Sequence, residues 1–308
     1  SINDEVAADL ASSARWAVST DNGNSWTNVS ATVSGTGARL EGLTPGTAYR
    51  VRATVSDKQA TAALTTEAAI QVPNNGMETW HEKSGESNWS VFYAGASESD
   101  AVWGTNNPMT TSQGGDRAYQ RISGTISTSD AVAGNAALIR TVAWGSSNTS
   151  AGSASTIKYI DAGLLHLGQS RESRGGNSSQ AGSLSTDDLT CGIDFASRPS
   201  SLSFKYKYSN KNSNDKGYAE IWVKDASGKI IASGNLNLDP ASAYTEKTIA
   251  LNYPAGAAKG AKLYIKFLST NDSGFLTKSS DNLSFGSISR SSKHIGSQLY
   301  IDDITLNY

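Results

Sequence analysis

The chain ends in Ser297-Gln-Leu-Tyr-Ile-Asp-Asp-Ile-Thr-Leu-Asn-Tyr308, and this stretch decides the fold. β-Branched and aromatic residues alternate with polar ones as far as the last residue, which predicts a β-strand. The alternation changes phase, since Leu299 and Ile301 share one parity and the apolar residues from position 304 onward share the other. The phase change predicts either a bulge at Asp302-Asp303 or a strand that is buried on both faces.

Two adjacent carboxylates at such a place require hydrogen-bond donors or a cation. Upstream, residues 72–80 (VPNNGMETW) place Glu78 just after a turn-forming Asn-Asn-Gly. These two segments resemble the opening and closing strands of the jelly-roll modules found in many carbohydrate-binding domains. The resemblance implies a structural calcium ion at Glu78, Asp302 and Asp303, and oxygen ligands of this kind suit calcium. The alternative is that the Asp pair only caps a bulge and contacts water.

Composition restricts the class of protein. The chain has 308 residues, which is enough for two domains. Its net charge is −2 and its charged fraction is 18%, so charge provides no argument for nucleic acid or an anionic membrane as a partner. The 29 glycines, with Ser, Thr and Asn between short apolar runs, favour an all-β protein with many turns. No apolar run approaches the ~18 residues of a membrane-spanning helix.

The single cysteine excludes an internal disulfide and a cysteine metal cluster. Cys191 lies in residues 189–195 (LTCGIDF), where every odd position is apolar. This pattern predicts a buried core thiol and not a nucleophile. The chain begins with Ser and not with Met, so we expect that a signal or anchor segment preceded it.

The first domain is predicted to be a small sandwich of short strands over residues 1–72. Residues 40–55 (LEGLTPGTAYRVRATV) resemble the E–F corner and F strand of fibronectin type III domains, with Pro45-Gly46 in the turn. Tyr49 is then placed to hydrogen-bond back across the corner. Only about five strands are readable, so we expect an incomplete fibronectin-III/Ig-like sandwich whose opening strand lies in residues 1–13.

Residues 19–26 (STDNGNSW) match the Asp-box S-x-D-x-G-x-x-W known from sialidase propellers. A propeller requires repeats at a fixed period, and this motif occurs once. The motif therefore predicts a hairpin in which Asp21 bonds the turn backbone and Trp26 packs beneath it.

The second predicted domain covers residues 73–308 and begins within the boundary segment at residues 71–76 (QVPNNG). Its distinctive segments are, in chain order, GMETW (76–80), WGTNN (103–107), DAGLLHLG (161–168), GIDFASRPSSLSFKYKY (192–208) and GSQLYIDDI (296–304). Through these segments the domain resembles, over its whole length, the carbohydrate metabolism domain of Bacteroides-type surface proteins. The resemblance implies a protein of glycan utilisation and brings no established catalytic residues.

The strand patterns of this domain predict a larger jelly-roll β-sandwich. In residues 201–208, 218–225 and 262–268, one parity is apolar and faces the core, and the other parity is mixed. The mixed face of the last two strands carries Tyr218, Glu220, Trp222, Tyr264 and Lys266. Sugar rings stack on aromatic rings while charged groups contact their hydroxyls, so this face is a candidate glycan surface. The alternative is an ordinary surface, or a face covered by long loops.

Three long polar stretches, at residues 105–117, 145–156 and 168–188, interrupt the predicted sandwich. Loop tips of this kind are a second candidate place for glycan contact, and Trp103 and Trp144 flank them.

Motifs for catalysis are absent from the sequence: we find no nucleophile elbow, phosphate loop, zinc helix or Cys/His pairing. A glycosidase requires two carboxylates about 5–5.5 Å or about 6.5–9.5 Å apart, and sequence spacing cannot pair them across strands. We therefore predict a non-catalytic, secreted or surface-anchored protein that binds a polysaccharide within a surface glycan-utilisation complex, with the first domain as a spacer. The alternatives are a glycoside hydrolase acting through a carboxylate pair, and an adhesion or scaffold protein without a small-molecule ligand.

Overall fold

The structure is a computed structural model, and it describes residues 13–34, 37–84, 89–112, 121–146, 157–172, 191–211, 214–254, 256–271 and 296–308. Within these residues the chain forms short β-strands and one short helix, as expected for an all-β protein. The strands are β1 (Arg15–Ser19), β2 (Thr27–Val29), β3 (Ala31–Ser34), β4 (Gly37–Leu40), β5 (Ala48–Val55), β6 (Lys58–Thr65), β7 (His81–Ser84), β8 (Ser90–Tyr93), β9 (Trp103–Thr105), β10 (Thr125–Thr128), β11 (Ala136–Arg140), β12 (Val142–Ser146), β13 (Ile157–Asp161), β14 (Leu164–Leu167), β15 (Ile193–Asp194), β16 (Ser201–Ser209), β17 (Gly217–Lys224), β18 (Ile230–Leu238), β19 (Ala241–Ala250), β20 (Lys262–Leu268) and β21 (Gln298–Asn307). The helix is α1 (Asn107–Ser112). No helix among the described residues is long and apolar enough to cross a membrane.

The C-terminal stretch forms strand β21, which contains the predicted bulge. Ser203 of the neighbouring β16 is opposite Thr305, and Lys205 is opposite Asp302. Over this interval β21 therefore contains one residue more than β16. The bulge is accommodated at Asp303, where the backbone φ is 49°. The bulge shifts the parity, so the apolar residues on both sides of it face the same core.

The chain divides into two compact units, residues 1–70 with Tyr308 and residues 71–307. In the first unit, β2, β1, β5 and β6 form a four-stranded sheet, and β3 pairs with β4. One face of the sheet forms a small core in which Val18, Tyr49 and Val51 are buried. The backbone N–H of Thr44 donates to the Tyr49 hydroxyl oxygen at 3.0 Å, which confirms the predicted contact across the corner. The fibronectin-III assignment stays a prediction, and its expected opening strand lies outside the described residues.

The Asp-box forms the predicted hairpin between β1 and β2. Asp21 accepts hydrogen bonds from the Ser25 amide at 2.9 Å and from the Ser19 hydroxyl at 2.6 Å. Trp26 donates its indole N–H to the Gly23 carbonyl at 3.0 Å, so the ring is held against its own turn. The motif therefore serves as local structure in this chain.

The second unit is a β-sandwich. One sheet has the strand order β10-β11-β21-β16-β19, and the other has the order β18-β17-β20-β14-β9, with β15 pairing β20 at its side. From β16 to β21 the chain crosses repeatedly from one sheet to the other. The apolar parity of each strand faces inward, as the alternation predicts. The ring centroids of Phe204 on β16 and Phe267 on β20 lie 5.0 Å apart, edge to face, and join the two layers.

Candidate functional site

The outer face of the β17-β20-β14 region carries a row of polar side chains. Glu220 lies opposite Lys266, and Lys266 lies opposite His166, in the antiparallel register. Directly opposed residues share a face, so all three point away from the core. The Lys266 Nζ lies 2.6 Å from Glu220 Oε2, with side-chain exposures of 8% and 23%. An ion pair this buried requires good geometry to offset the loss of hydration.

An aromatic pair lies beside this row. Trp222 and Tyr264 are opposite each other on β17 and β20, and their ring centroids are 4.7 Å apart at an interplanar angle of 26°. Cys191 packs against both rings, and the Lys224 ammonium lies 4.8 Å from the Trp222 ring. Trp222 and Tyr264 therefore form an apolar group next to the row of polar side chains.

The prediction that these rings form an exposed stacking surface is wrong. Trp222 is 1% exposed and Tyr264 is 2% exposed, so neither ring offers a free face to a sugar. The sequence pattern places both side chains on the outer face of the sheet, but it does not say what covers that face. The Trp222 indole N–H is nevertheless buried without an acceptor among the described residues. A buried donor of this kind costs free energy until an acceptor reaches it.

The Tyr218 end of the face is partly accessible, as is the opposite end, where the Lys262 and Asp194 side chains are 40% and 99% exposed. Tyr218 is half-buried, and the Lys266 Nζ lies 5.4 Å from its ring centroid. Burial, with the Glu220 carboxylate as a second cause, raises the pKa of Tyr218 to about 12. The hydroxyl therefore keeps its proton at neutral pH and can donate a hydrogen bond. Tyr218, Glu220 and Lys266 together present a ring edge, a carboxylate and an ammonium group.

The prediction that Trp103 and Trp144 capture glycan at loop tips is wrong for both residues. Trp103 is fully buried in the sandwich core and donates its indole N–H to the Pro73 carbonyl at 2.9 Å. Trp144 is 1% exposed and donates to Asp161 Oδ2 at 2.6 Å. Each ring lies inside because its apolar area is large and its single donor finds an internal acceptor. The predicted loops fall mainly at residues 113–120, 147–156 and 173–190, outside the described residues.

The predicted calcium ligands are not brought together as one set. Asp303 Oδ2 lies 2.9 Å from the Lys205 Nζ, so the bulge turns this carboxylate towards a cation of β16. Asp302 is 1% exposed and accepts the Val132 amide at 2.7 Å and the Asp303 amide at 2.8 Å. Burial raises the pKa of Asp302, and these amides oppose the increase. Among the described residues, no group of three His, Cys, Asp or Glu side chains could hold a metal ion.

Glu78 is held by the same loop that holds Asp302. Its Oε2 accepts the Asn135 amide at 2.9 Å, and a Cβ on Gly134 would overlap the Glu78 carboxylate. Backbone N–H groups therefore surround the two carboxylates where the resemblance implies a cation. Because Asp303 pairs with Lys205, the three-residue calcium site does not fit this arrangement. The calcium ion itself stays a prediction, and Glu78 and Asp302 are the two predicted ligands that the loop at residues 132–135 holds.

Sequence reasoning missed one member of the site, His166, and did not predict the accessibility of another, Tyr218. His166 is fully buried, and its Nδ1 lies 3.0 Å from the Leu167 carbonyl oxygen. Its place in the polar row follows from strand register, which local patterns do not report. Tyr218 lies on the predicted face, but the pattern could not show that this ring is more accessible than Trp222.

No family model matches the chain, and no curated protein matches it. Among solved structures, the chain is similar to carbohydrate-binding modules from the β-sandwich superfamily, at 8% identity and a TM-score of 0.32, over 96% of this chain and 85% of that one. It is also similar to the family 11 carbohydrate-binding module of the cellulosomal cellulase Lic26A-Cel5E of Clostridium thermocellum, at 10% identity and a TM-score of 0.29, over 74% and 87%. A third is the enzymatically active domain of tailspike protein 4 of bacteriophage CBA120, at 12% identity and a TM-score of 0.32, over 79% and 22%. Likeness at this level carries no argument about function, and the resemblance to the Bacteroides-type family stays a prediction.

Proposed function

We propose that residues 71–307 form a non-catalytic module that binds a glycan at the Tyr218–Glu220–Lys266 end of the outer sheet face. The observation that carries the proposal is the Lys266–Glu220 ion pair beside the half-buried Tyr218 ring, in which the Glu220 side chain is 23% exposed. Glycan hydroxyls both donate and accept hydrogen bonds, and this group offers both functions beside an apolar ring. The buried indole N–H of Trp222, which has no acceptor among the described residues, marks the inner end of the same face.

The carboxylate content of the face favours binding over cleavage. The described strands of this sheet carry two carboxylates, Asp194 on β15 and Glu220 on β17. Asp194 lies opposite Lys262, which is four residues from Lys266 on β20, about 13 Å along the strand and beyond the carboxylate spacing of a glycosidase. Glu220 lies opposite Lys266. Its Oε2 is engaged by Lys266. Acid–base cleavage of a glycosidic bond requires a second carboxylate at a defined distance. We therefore place recognition, and not hydrolysis, on these strands.

A scaffold protein without a small ligand is the second candidate. The burial of Trp222 and Tyr264 favours it, because a stacking platform is the usual means of gripping a sugar. A surface location within a glycan-utilisation complex belongs to the proposal as well. It rests on the sequence resemblance and is tested by fractionating the producing cells.

The proposal is tested by a glycan-array screen of the full chain, followed by calorimetry with the best glycan. We expect Glu220→Gln to weaken binding at least about tenfold, since charge-assisted hydrogen bonds contribute about 1.5–3 kcal/mol. Tyr218→Ala should weaken binding to a similar extent. The matched control is Glu246→Gln, an exposed carboxylate on β19 of the other sheet, which should leave affinity unchanged.

Absence of binding to plant, host and microbial glycans on the array would favour the scaffold candidate. Binding that is insensitive to Glu220→Gln and Tyr218→Ala would retain glycan recognition but remove it from this face. Release of reducing sugar from a bound glycan would contradict the non-catalytic assignment.

A further inference from the structure

The four-stranded sheet of the first unit has an outer face that the spacer role does not explain. Its inner face is the small core around Val18 and Val51. In the register of β1 and β5, Ala17 is opposite Arg52 and Ser19 is opposite Arg50. Arg15 has the same parity as Ala17 and Ser19, so all three arginines share the outer face.

Among the described residues, no carboxylate pairs with these arginines. Arg15 and Arg50 are exposed and Arg52 is half-buried. The strands β1, β2, β5 and β6 contain no Asp or Glu, so the sheet itself supplies no counter-charge. The Nε–H of Arg52 is buried without an acceptor among the described residues.

The Asp21 carboxylate of the Asp-box loop accepts hydrogen bonds from its own loop. Hydrogen bonds from Ser19 and Ser25 hold the pKa of Asp21 far below its usual range. Both of its oxygens accept from the loop, through the Ser19 and Ser25 hydroxyls and the Ser25 amide. Asp21 therefore stabilises the hairpin, and the guanidinium groups remain available to an external anion.

The hairpin also orients one guanidinium group. The Arg52 Cζ lies 4.3 Å from the Trp26 ring centroid, and Trp26 is fixed by its bond to Gly23. Stacking of this kind orders the planar fork while its N–H edges stay free for oxygen acceptors. Arg50 and Arg52 are two residues apart on one strand, which separates their Cα atoms by about 7 Å. The face thus presents two neighbouring anion-binding forks, of which that of Arg52 is ordered by stacking.

We propose that this face of the first unit binds an acidic polysaccharide through its carboxylate or sulfate groups. Arg forks recognise such planar or tetrahedral oxyanions by paired hydrogen bonds. A polysaccharide fits better than a nucleic acid, because the chain has a net charge of −2 and this face holds one tryptophan, without a series of rings for bases. The proposal is independent of the glycan site on residues 71–307.

The test measures binding of the full chain to polygalacturonate, which carries carboxylates, and to dextran sulfate, which carries sulfates. Neutral dextran is the uncharged comparison. We expect Arg50→Gln/Arg52→Gln to weaken binding to the preferred polyanion at least tenfold. The matched control is Arg39→Gln, an exposed arginine on β4 outside this sheet, which should change affinity less than twofold. Arg50→Lys/Arg52→Lys keeps the charge without the forks and should recover only part of the affinity.

Thermal unfolding of each variant checks that the hairpin and sheet persist. Equal losses in Arg39→Gln and in each of the single variants Arg50→Gln and Arg52→Gln, which all remove one charge, would overturn the proposal, because binding would then follow net charge alone. Absence of binding to both acidic polymers at low salt would overturn it as well. Equally tight, Arg50/Arg52-dependent binding of single-stranded DNA or phosphatidylserine vesicles would overturn the assignment to a polysaccharide. The Glu220→Gln variant should bind the polyanion normally, which separates this face from the site on the second unit.

Discussion

The Nζ of Lys266 lies 2.6 Å from Oε2 of Glu220, between neighbouring strands of one sheet and with little of either side chain exposed. The two residues are far apart in sequence and meet because β17 and β20 pair in antiparallel register. The pair holds opposite charges on a face that otherwise buries Trp222 and Tyr264. Its energetics can be measured without any ligand.

Removing the cation of this pair should destabilise the second unit. Lys266→Met leaves the Glu220 carboxylate partly buried without its partner, and we expect a loss of about 2 kcal/mol in the free energy of unfolding. Lys266→Met/Glu220→Gln should recover at least half of that loss. Urea unfolding followed by tryptophan fluorescence provides the measurement. The control is Lys83→Met, since the Lys83–Glu98 pair is exposed, and its stability should not change measurably.

The interlayer ring contact should carry a larger share of stability. Phe267 is fully buried, and its ring lies 5.0 Å from Phe204 and 6.5 Å from Trp103. Phe267→Ala should cost about 3–5 kcal/mol, because it removes buried area and leaves a cavity. Val132→Ala, at a residue that is 40% exposed, should fall within about 0.5 kcal/mol of the parent in the same urea titration. A Phe267→Ala cost near that of Val132→Ala would mean that the two sheets do not depend on this contact.

The raised pKa of Tyr218 predicts an alkaline effect on stability. Its pKa is about 12 in the folded chain, against 10.0 as the ordinary value, so folding favours the protonated hydroxyl. That contribution is fully present below pH 10 and is lost as the pH rises towards 12. Tyr218→Phe removes it, so the variant should lose less stability than the parent between pH 10 and 12. Parallel stability–pH curves for the two proteins would contradict the pKa shift.

Substitutions of Asp302 and Asp303 at the bulge should respond differently to calcium. If Glu78 and Asp302 share an ion, calcium raises the melting temperature, and a free concentration 100 times Kd contributes about 2.7 kcal/mol. Asp302→Asn should abolish the calcium response. Asp303→Asn should keep it, because Asp303 is paired with Lys205. An identical melting temperature in calcium and in chelator would contradict the prediction that this protein binds a stabilising calcium ion.

Much of the fold was predictable because its signals are local. Alternation predicts the strands, and the phase change at Asp302 predicts the bulge at Asp303. The apolar parity around Cys191 predicts its burial, which is confirmed at 2% exposure. The corner contact of Tyr49 and the Asp21 hairpin each involve residues close together in the chain.

The candidate site was only half predictable. The sequence by itself determined that Glu220 and Trp222 share one side of their strand and that Tyr264 and Lys266 share one side of theirs, since side-chain direction in a strand has a period of two. Only the tertiary structure decided that the two rings are buried, that Glu220 pairs with Lys266, and that Asp303 turns to Lys205. Burial and pairing depend on strand register and on which segments lie over a face. Both are contacts between distant parts of the chain, which no local pattern encodes.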